Sequence, residues 1–247
     1  MTDALGYRAK FGVLMPSTNT IVGPDYSSIT VPGVTSHPSR IHIRDQNLSS
    51  NERFKNLIEQ IWDEVFNALD RVCTADIDYL VMGMSAGTFW NGIEGSNKFI
   101  DVIEKHSGLK VATGSHACRA ALETLGAKNI AILTPYQKIA DENVCRFFRE
   151  SGFSIADIHG LRCPNAISIA HFPEDRLRQT VLDLNKPGVD AILQVGTNLS
   201  MVKLAAELEV ELSKPVIAIN TATWWYALRQ NGFEDKLSGF GSLLESH

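Results

Sequence analysis

No CxxC or CxxH pair, no glycine-rich phosphate loop and no long apolar run occurs in this sequence, and each absence removes a class of function. The four cysteines, Cys73, Cys118, Cys145 and Cys163, stand far apart. That spacing argues against a zinc cluster and suits a reducing cytoplasm. Neither GxGxxG nor a Walker-type loop is present, so nothing calls for a nucleotide. Carboxylates and histidines do not cluster as metal ligands do, and the reading is of a site with no metal and no cofactor. Apolar runs are too short to span a bilayer, and MTDALGYRAK lacks a signal-peptide pattern. A net charge of -5 withholds the basic face that a nucleic-acid partner would need. The expectation is a cytoplasmic protein with neither a membrane nor a nucleic-acid partner.

What the chain does have is an alternation of two patterns. At 247 residues, 44% hydrophobic and 21% charged, it has the size and composition of an ordinary globular protein with a large core. Apolar runs at 11–16, 79–84, 109–113, 130–135, 191–196 and 215–220 have the length of strands buried on both faces, and 33–43 supplies a weaker one. Residues 51–73 place Phe54, Ile58, Ile61, Val65 and Leu69 at helical spacing. Helices also fit 115–126, 138–151, 173–184, 199–212 and 221–231, with Ser115 as an N-cap and Gly152 as a C-terminal stop. Alternation of this kind predicts an α/β fold with mainly parallel sheets flanked by helices.

The sequence also repeats in order. FGVLMPSTNT matches IAILTPYQKI, aligning Pro16 with Pro135. DYLVMGMSAG matches DAILQVGTNL, aligning Asp78 with Asp190, Met84 with Gly196 and Ser85 with Thr197. KVATGSHA matches PVIAINTA, aligning Val111 with Val216. Two copies of one α/β unit follow: a first lobe over 1–112 plus 226–247, and a second over 113–225.

Ligands of open parallel sheets bind beyond the carboxyl ends of the strands, and two facing lobes would share one cleft there. The segments in question are PSTNT (16–20), MSAG (84–87), TGSHA (113–117), TPY (134–136), GTN (196–198) and NTAT (220–223). They are rich in hydroxyls and amides and nearly free of charge. Such a set suits a small anion held by neutral donors, or simply caps the helices that follow.

These strand ends carry a family likeness. GVLMPSTNT, DYLVMGMSAGTFWNG, RAALETLGAKNIAILTPY, the Pro-Asn pair at 164–165 and DAILQVGTNL resemble the aspartate/glutamate racemase superfamily, nearest to its maleate cis-trans isomerase and arylmalonate decarboxylase branch. The resemblance implies two pseudo-symmetric lobes with the site between them, a small carboxylate or dicarboxylate substrate, no cofactor, and a homo-oligomer. It assigns substrate contacts to Asn19, Tyr136 and Asn165, and carboxylate donors to Ser85 and Thr197 with their neighbours. The family's two facing thiols fall at Met84 and Gly196, or on a one-residue slip at Ser85 and at Val195 or Thr197. None of these is cysteine.

The expected catalytic set is therefore Ser85, Tyr136 and His116, the last a strand-end histidine able to act as acid or base near neutral pH. The expected binding set is Asn19, Ser17, Met84, Asn165, Gly196, Thr197 and Asn198. Two functions stay open: an isomerase or decarboxylase acting at the carbon beside a carboxylate, or a carboxylate-binding sensor or accessory protein without catalysis.

Overall fold

The computed structural model describes residues 3–247. The first half runs β1 (Ala9–Pro16), α1 (Val22–Ser28), β2 (Val34–Ile41), α2 (Asn51–Cys73), β3 (Tyr79–Met82), α3 (Gly92–Ser107) and β4 (Val111–Ala112). The second runs α4 (Gly114–Thr124), β5 (Asn129–Thr134), α5 (Lys138–Glu150), β6 (Ser154–Gly160), α6 (Glu174–Leu184), β7 (Ala191–Gln194), α7 (Val202–Leu212) and β8 (Val216–Ala218). The chain ends with α8 (Ile219–Gln230) and α9 (Ser242–Ser246). The strands form two four-stranded parallel sheets, ordered β2-β1-β3-β4 and β6-β5-β7-β8. Position for position the two orders are the same, which is the sequence repeat expressed as topology.

The repeat extends to individual side chains. The Asp78 carboxylate accepts the Lys10 N–H at 2.7 Å, and the Asp190 carboxylate accepts those of Lys128 and Asn129 at 3.0 and 2.8 Å. Each aspartate precedes a central strand and ties down the start of its neighbour, so the aligned pair performs one task twice.

Helix ends follow local chemistry. Ser50 caps α2 by accepting the Arg53 N–H at 3.2 Å. Gly152 ends α5 at φ +89°, where its lack of Cβ lets the Gly152 and Phe153 amides turn back onto the Arg149 and Phe148 carbonyls. Ser115 is not a cap: α4 begins one residue earlier, after Thr113, and the Ser115 hydroxyl is buried against those of Ser96 and Thr113. The 215–220 run is also shorter as a strand than its apolar length predicts, because α8 starts at Ile219 directly after β8. Four elements escape sequence reading: α1, the half-exposed edge strand β6, the short α9, and α3, which opens on Asn91 at φ 62°. Among the described residues no helix is long and apolar enough to cross a membrane.

After β8 completes the second sheet, α8 crosses back to lie on β3 and β4 of the first and against α4. Its anchor is Trp224, fully buried, whose ring meets Phe11 of β1 edge-on at 5.4 Å and Tyr26 of α1 at 4.8 Å. This helix couples the end of one sheet to the core of the other. Trp224→Ala is expected to cost about 3–5 kcal/mol, the usual loss for a buried large aromatic. Urea unfolding should show a lower midpoint for both halves together, with tryptophan fluorescence and far-UV circular dichroism remaining superimposable.

Candidate active site

Four strand ends converge on a cavity of about 60 Å³. One water needs roughly 10–15 Å³ on this measure, so the space is several waters large. The polar side comes from the segments after β1, β3, β5 and β7: Thr18 and Asn19, Ser85, Tyr136, and Thr197 with Asn198. The opposite wall is apolar, formed by Leu48, by Phe54, Leu57 and Ile61 on one face of α2, and by Met84 and Ile169. Among the described residues Tyr136 is the only lining side chain that titrates; no cysteine, histidine, carboxylate, lysine or arginine reaches the surface of the cavity.

The polar groups are linked across the two lobes. Ser85 Oγ and Tyr136 OH lie 2.5 Å apart, and the Thr197 N–H donates to Ser85 Oγ at 3.3 Å. Asn19 Nδ2 donates to Thr197 Oγ1 at 3.2 Å, and that hydroxyl donates to the Gly83 carbonyl at 3.2 Å. Asn19 Oδ1 accepts the N–H groups of Ile21 and Val22, each at 2.9 Å, which fixes the amide's orientation. Asn198 is held likewise, accepting from the Thr20 N–H at 3.1 Å and donating to the Ala166 carbonyl at 3.0 Å. Burial drives the Tyr136 phenol well above its ordinary pKa, so it is a neutral donor near pH 7.

Tyr136 is braced from behind. Its N–H donates to Thr134 Oγ1 at 3.1 Å and its carbonyl accepts from Arg162. Both braces lead to Asp141, which accepts from Thr134 Oγ1 and from Arg162 at 2.5 Å each. Burial raises the Asp141 carboxyl, and the Thr134 and Arg162 donors work against that rise.

The cavity brings together Asn19, Met84, Ser85, Tyr136, Gly196, Thr197 and Asn198, and it leaves three sequence candidates outside. Ser17 Oγ accepts the Ile43 N–H at 3.0 Å and braces the segment after β2. Asn165 faces a surface groove, where its Oδ1 accepts the Ser168 N–H at 2.8 Å. Its backbone pairs with Asn47, and the Leu48 and Ala166 amides bond across the same junction, so this loop gives the cavity Ala166 and Ile169 instead. His116 sits between Thr113 Oγ1 at 3.2 Å and Asn97 Oδ1 at 3.1 Å, edge-on to Phe147. Burial lowers its pKa, and it does not reach the cavity to move a substrate proton. Cys163 is also removed from the lining, and burial pushes its thiol up to about 11.

Sequence reasoning missed most of the apolar wall. The α2 stripe is readable, but helical spacing alone does not separate residues that face the sheet from those that face the cleft. Leu57, in register with Phe54 and Ile61, was the available signal.

Gly196 is special for its backbone. Its φ is +115°, and a Cβ there would overlap the Pro135 ring. No side chain, thiol-bearing or otherwise, fits this position without rearrangement. Gly196→Ala is expected to destabilise the protein by about 1–3 kcal/mol, the cost of a strained backbone region. The shift in urea midpoint should exceed that of Gly23→Ala, where the added Cβ meets nothing.

A profile of the arylmalonate decarboxylase family matches residues 12–244. Similar curated proteins are the maleate isomerases of Pseudomonas putida, 24% identical over 241 residues and covering 95% of this chain and 96% of that protein, and of Geobacillus stearothermophilus, 22% identical over 248 residues with the same coverage. Among solved structures, a cysteine-to-serine mutant of Nocardia farcinica maleate cis-trans isomerase with a covalently bound succinylcysteine intermediate superposes with a TM-score of 0.87 at 19% identity, covering 97% of this chain and 99% of that one. A double mutant of arylmalonate decarboxylase in its liganded form gives 0.81 at 19% identity, covering 97% and 100%. With the family match spanning nearly the whole fold just described, the chain belongs to the arylmalonate decarboxylase family.

Proposed function

We propose that this protein decarboxylates a small malonate-type dicarboxylic acid carrying a compact apolar group at the α-carbon. The observation that carries the reading is the cross-lobe cluster of Ser85, Tyr136 and the Thr197 N–H in a cavity with no other titrating group. These are neutral hydroxyl and N–H groups at the edge of a mostly apolar cavity, and neutral donors in such a setting stabilise a developing oxyanion.

The chemistry follows from what the lining holds. One carboxylate takes the hydroxyl and N–H donors; the other faces Leu48, Phe54 and Leu57, where a charge is poorly solvated. Breaking the bond between the α-carbon and that second carboxylate releases carbon dioxide. The bonding pair moves into the retained carboxylate as an enediolate, whose oxygens lie on the donors. The α-carbon of an enediolate is a far stronger base than a phenolate, so Tyr136 can protonate it even with a raised pKa. Ser85, 2.5 Å away, steadies the resulting phenolate until water returns the proton. The net change is one carboxylate exchanged for one hydrogen at the α-carbon, with retention of the apolar substituent.

Isomerisation of a cis double bond needs a nucleophile that adds and leaves. The Nocardia enzyme forms a succinylcysteine, whereas no cysteine lines this cavity among the described residues. Ser85 has no adjacent base to make it nucleophilic. Decarboxylation escapes this requirement because the substrate itself supplies the electron pair.

Proton NMR in deuterium oxide tests the reading with methylmalonate, phenylmalonate and maleate. The expected products are propionate or phenylacetate bearing one deuterium at the α-carbon, with maleate unchanged. Fumarate from maleate as the faster reaction, or no turnover of either malonate, overturns it. Tyr136→Phe should lower kcat by about 10²–10³, the loss typical of one oxyanion donor.

A further inference from the structure

Behind Thr197 lies a pair of polar side chains that neither lines the cavity nor serves the fold in an evident way. Asn220, the second residue of α8, is buried, and its amide group donates twice: to the Asp25 carboxylate at 2.7 Å and to the Thr197 carbonyl at 3.0 Å. The opposite amide orientation would set Asn220 Oδ1 against two acceptors, so these neighbours define which way the group points. In this orientation Oδ1 is buried with no partner. An unpartnered carbonyl costs stability, and an apolar residue would remove that cost. The amide is therefore placed for its two donor bonds.

Those bonds meet the site at a useful point. The Thr197 carbonyl held by Asn220 follows the same residue's N–H, which donates to Ser85 Oγ. Thr197 itself follows Gly196, whose positive φ leaves the segment without regular secondary structure to hold it. Asp25, on a short helix of the first lobe, thus reaches through Asn220 to a peptide of the second lobe. We propose that Asp25 and Asn220 are positioning residues that fix the Thr197 peptide, and that ionised Asp25 is what orients the Asn220 amide. The inference rests on the reading of Thr197 as an oxyanion donor.

The charge on Asp25 is poised to change. Burial pushes its carboxyl up to about 6, against the pull of the Asn220 donor. Titratable groups on the elements packed against α1 are engaged elsewhere. In β2, His37 meets Thr35 and Arg40 donates to the Asn19 carbonyl; in α8, Arg229 donates to carbonyls of Phe233 and His247, and Tyr226 lies almost two turns beyond Asn220. On α1 itself, Tyr26 is buried, and its phenol is held neutral. With a folded pKa above the ordinary carboxylate value, Asp25 favours the fold most when protonated, and that contribution falls as pH rises through the interval up to about 6. Positioning has the opposite dependence, since the charge-assisted bond to Asn220 forms as Asp25 ionises. Stability and site order should therefore part company across this interval, which a purely structural carboxylate would not produce.

Amide hydrogen exchange and chemical shifts of ¹⁵N-labelled full-length protein test the inference without any substrate. The Thr197 amide and the Asn220 side-chain amide should titrate together near pH 6. Asp25→Ala and Asn220→Ala should each speed Thr197 exchange at least tenfold at pH 7.5, with the strand amides of Leu133 and Leu193 unchanged. Asp25→Asn, which keeps an acceptor, should abolish the titration without lowering the thermal midpoint at pH 7.5. A Thr197 amide indifferent to pH and to Asp25→Ala overturns the proposal. With methylmalonate as substrate, Asp25→Ala should lower kcat at least tenfold and leave KM within twofold. If the wild type turns over no malonate, the decarboxylase reading fails, and the exchange data still decide the role of Asp25.

Discussion

The contact between Ser85 Oγ and Tyr136 OH joins the carboxyl ends of β3 and β5, one from each sheet, and the rest of the site is arranged around it. Both groups are buried, and neither can leave the other without exposing an unpaired hydroxyl to an apolar wall. The Thr197 N–H then closes on Ser85 from the end of β7, and Asn19 closes on Thr197 from the end of β1. Four strand ends are thereby bound into one hydrogen-bonded object. A duplicated fold supplies the strand ends in matched pairs, and the hydrogen bonds between the copies turn two half-sites into one.

Charge is kept one layer back. Asp141 stands behind Tyr136 through Thr134 and Arg162, and Asp25 stands behind Thr197 through Asn220. A continuous chain of polar contacts therefore runs from one half-buried aspartate, across the neutral cluster, to a buried one. Networks of this kind rigidify when every link is satisfied and loosen when one fails. On the proposed reading, an anionic substrate meets neutral donors that are braced by carboxylates it does not touch. Had either carboxylate lined the cavity, it would have repelled the ligand; had a lysine or arginine done so, it would have stabilised the ground-state carboxylate as much as any transition state.

The fold was legible because buried parallel strands are short continuous apolar runs, and because the repeat aligned them in order. The polar half of the site was legible for the same reason: Asn19, Ser85, Tyr136, Thr197 and Asn198 all lie directly after such runs. What escaped depends on direction within a loop or helix. Ser17 and Asn165 lie in the right segments, but their side chains satisfy local backbone groups, a competition that serine and asparagine enter readily. His116 follows a strand end but points toward Asn97, because α4 starts early and rotates it away. Asn220 was visible as a strand-end residue, yet its partner Asp25 sits on a seven-residue helix with little pattern of its own. Their pairing across 195 positions leaves no local trace in the sequence.

The segment Val195-Gly196-Thr197 draws these threads together. In DYLVMGMSAG the position matched to Gly196 is Met84, whose sulfur accepts the Gly87 N–H and whose side chain fills the apolar wall. At Gly196 the backbone has instead moved to φ +115°, close against the Pro135 ring, so the two copies differ in backbone at this aligned position. A side chain at 196 would force Pro135 away and carry Tyr136 with it, since the two are adjacent and both line the cavity. Glycine here brings Tyr136 and Thr197 close enough to share Ser85 between them. The feature that excludes a thiol from this half of the site is therefore the same one that assembles its hydroxyl cluster. On the proposed reading, the activity to be sought is one in which the substrate brings its own electron pair.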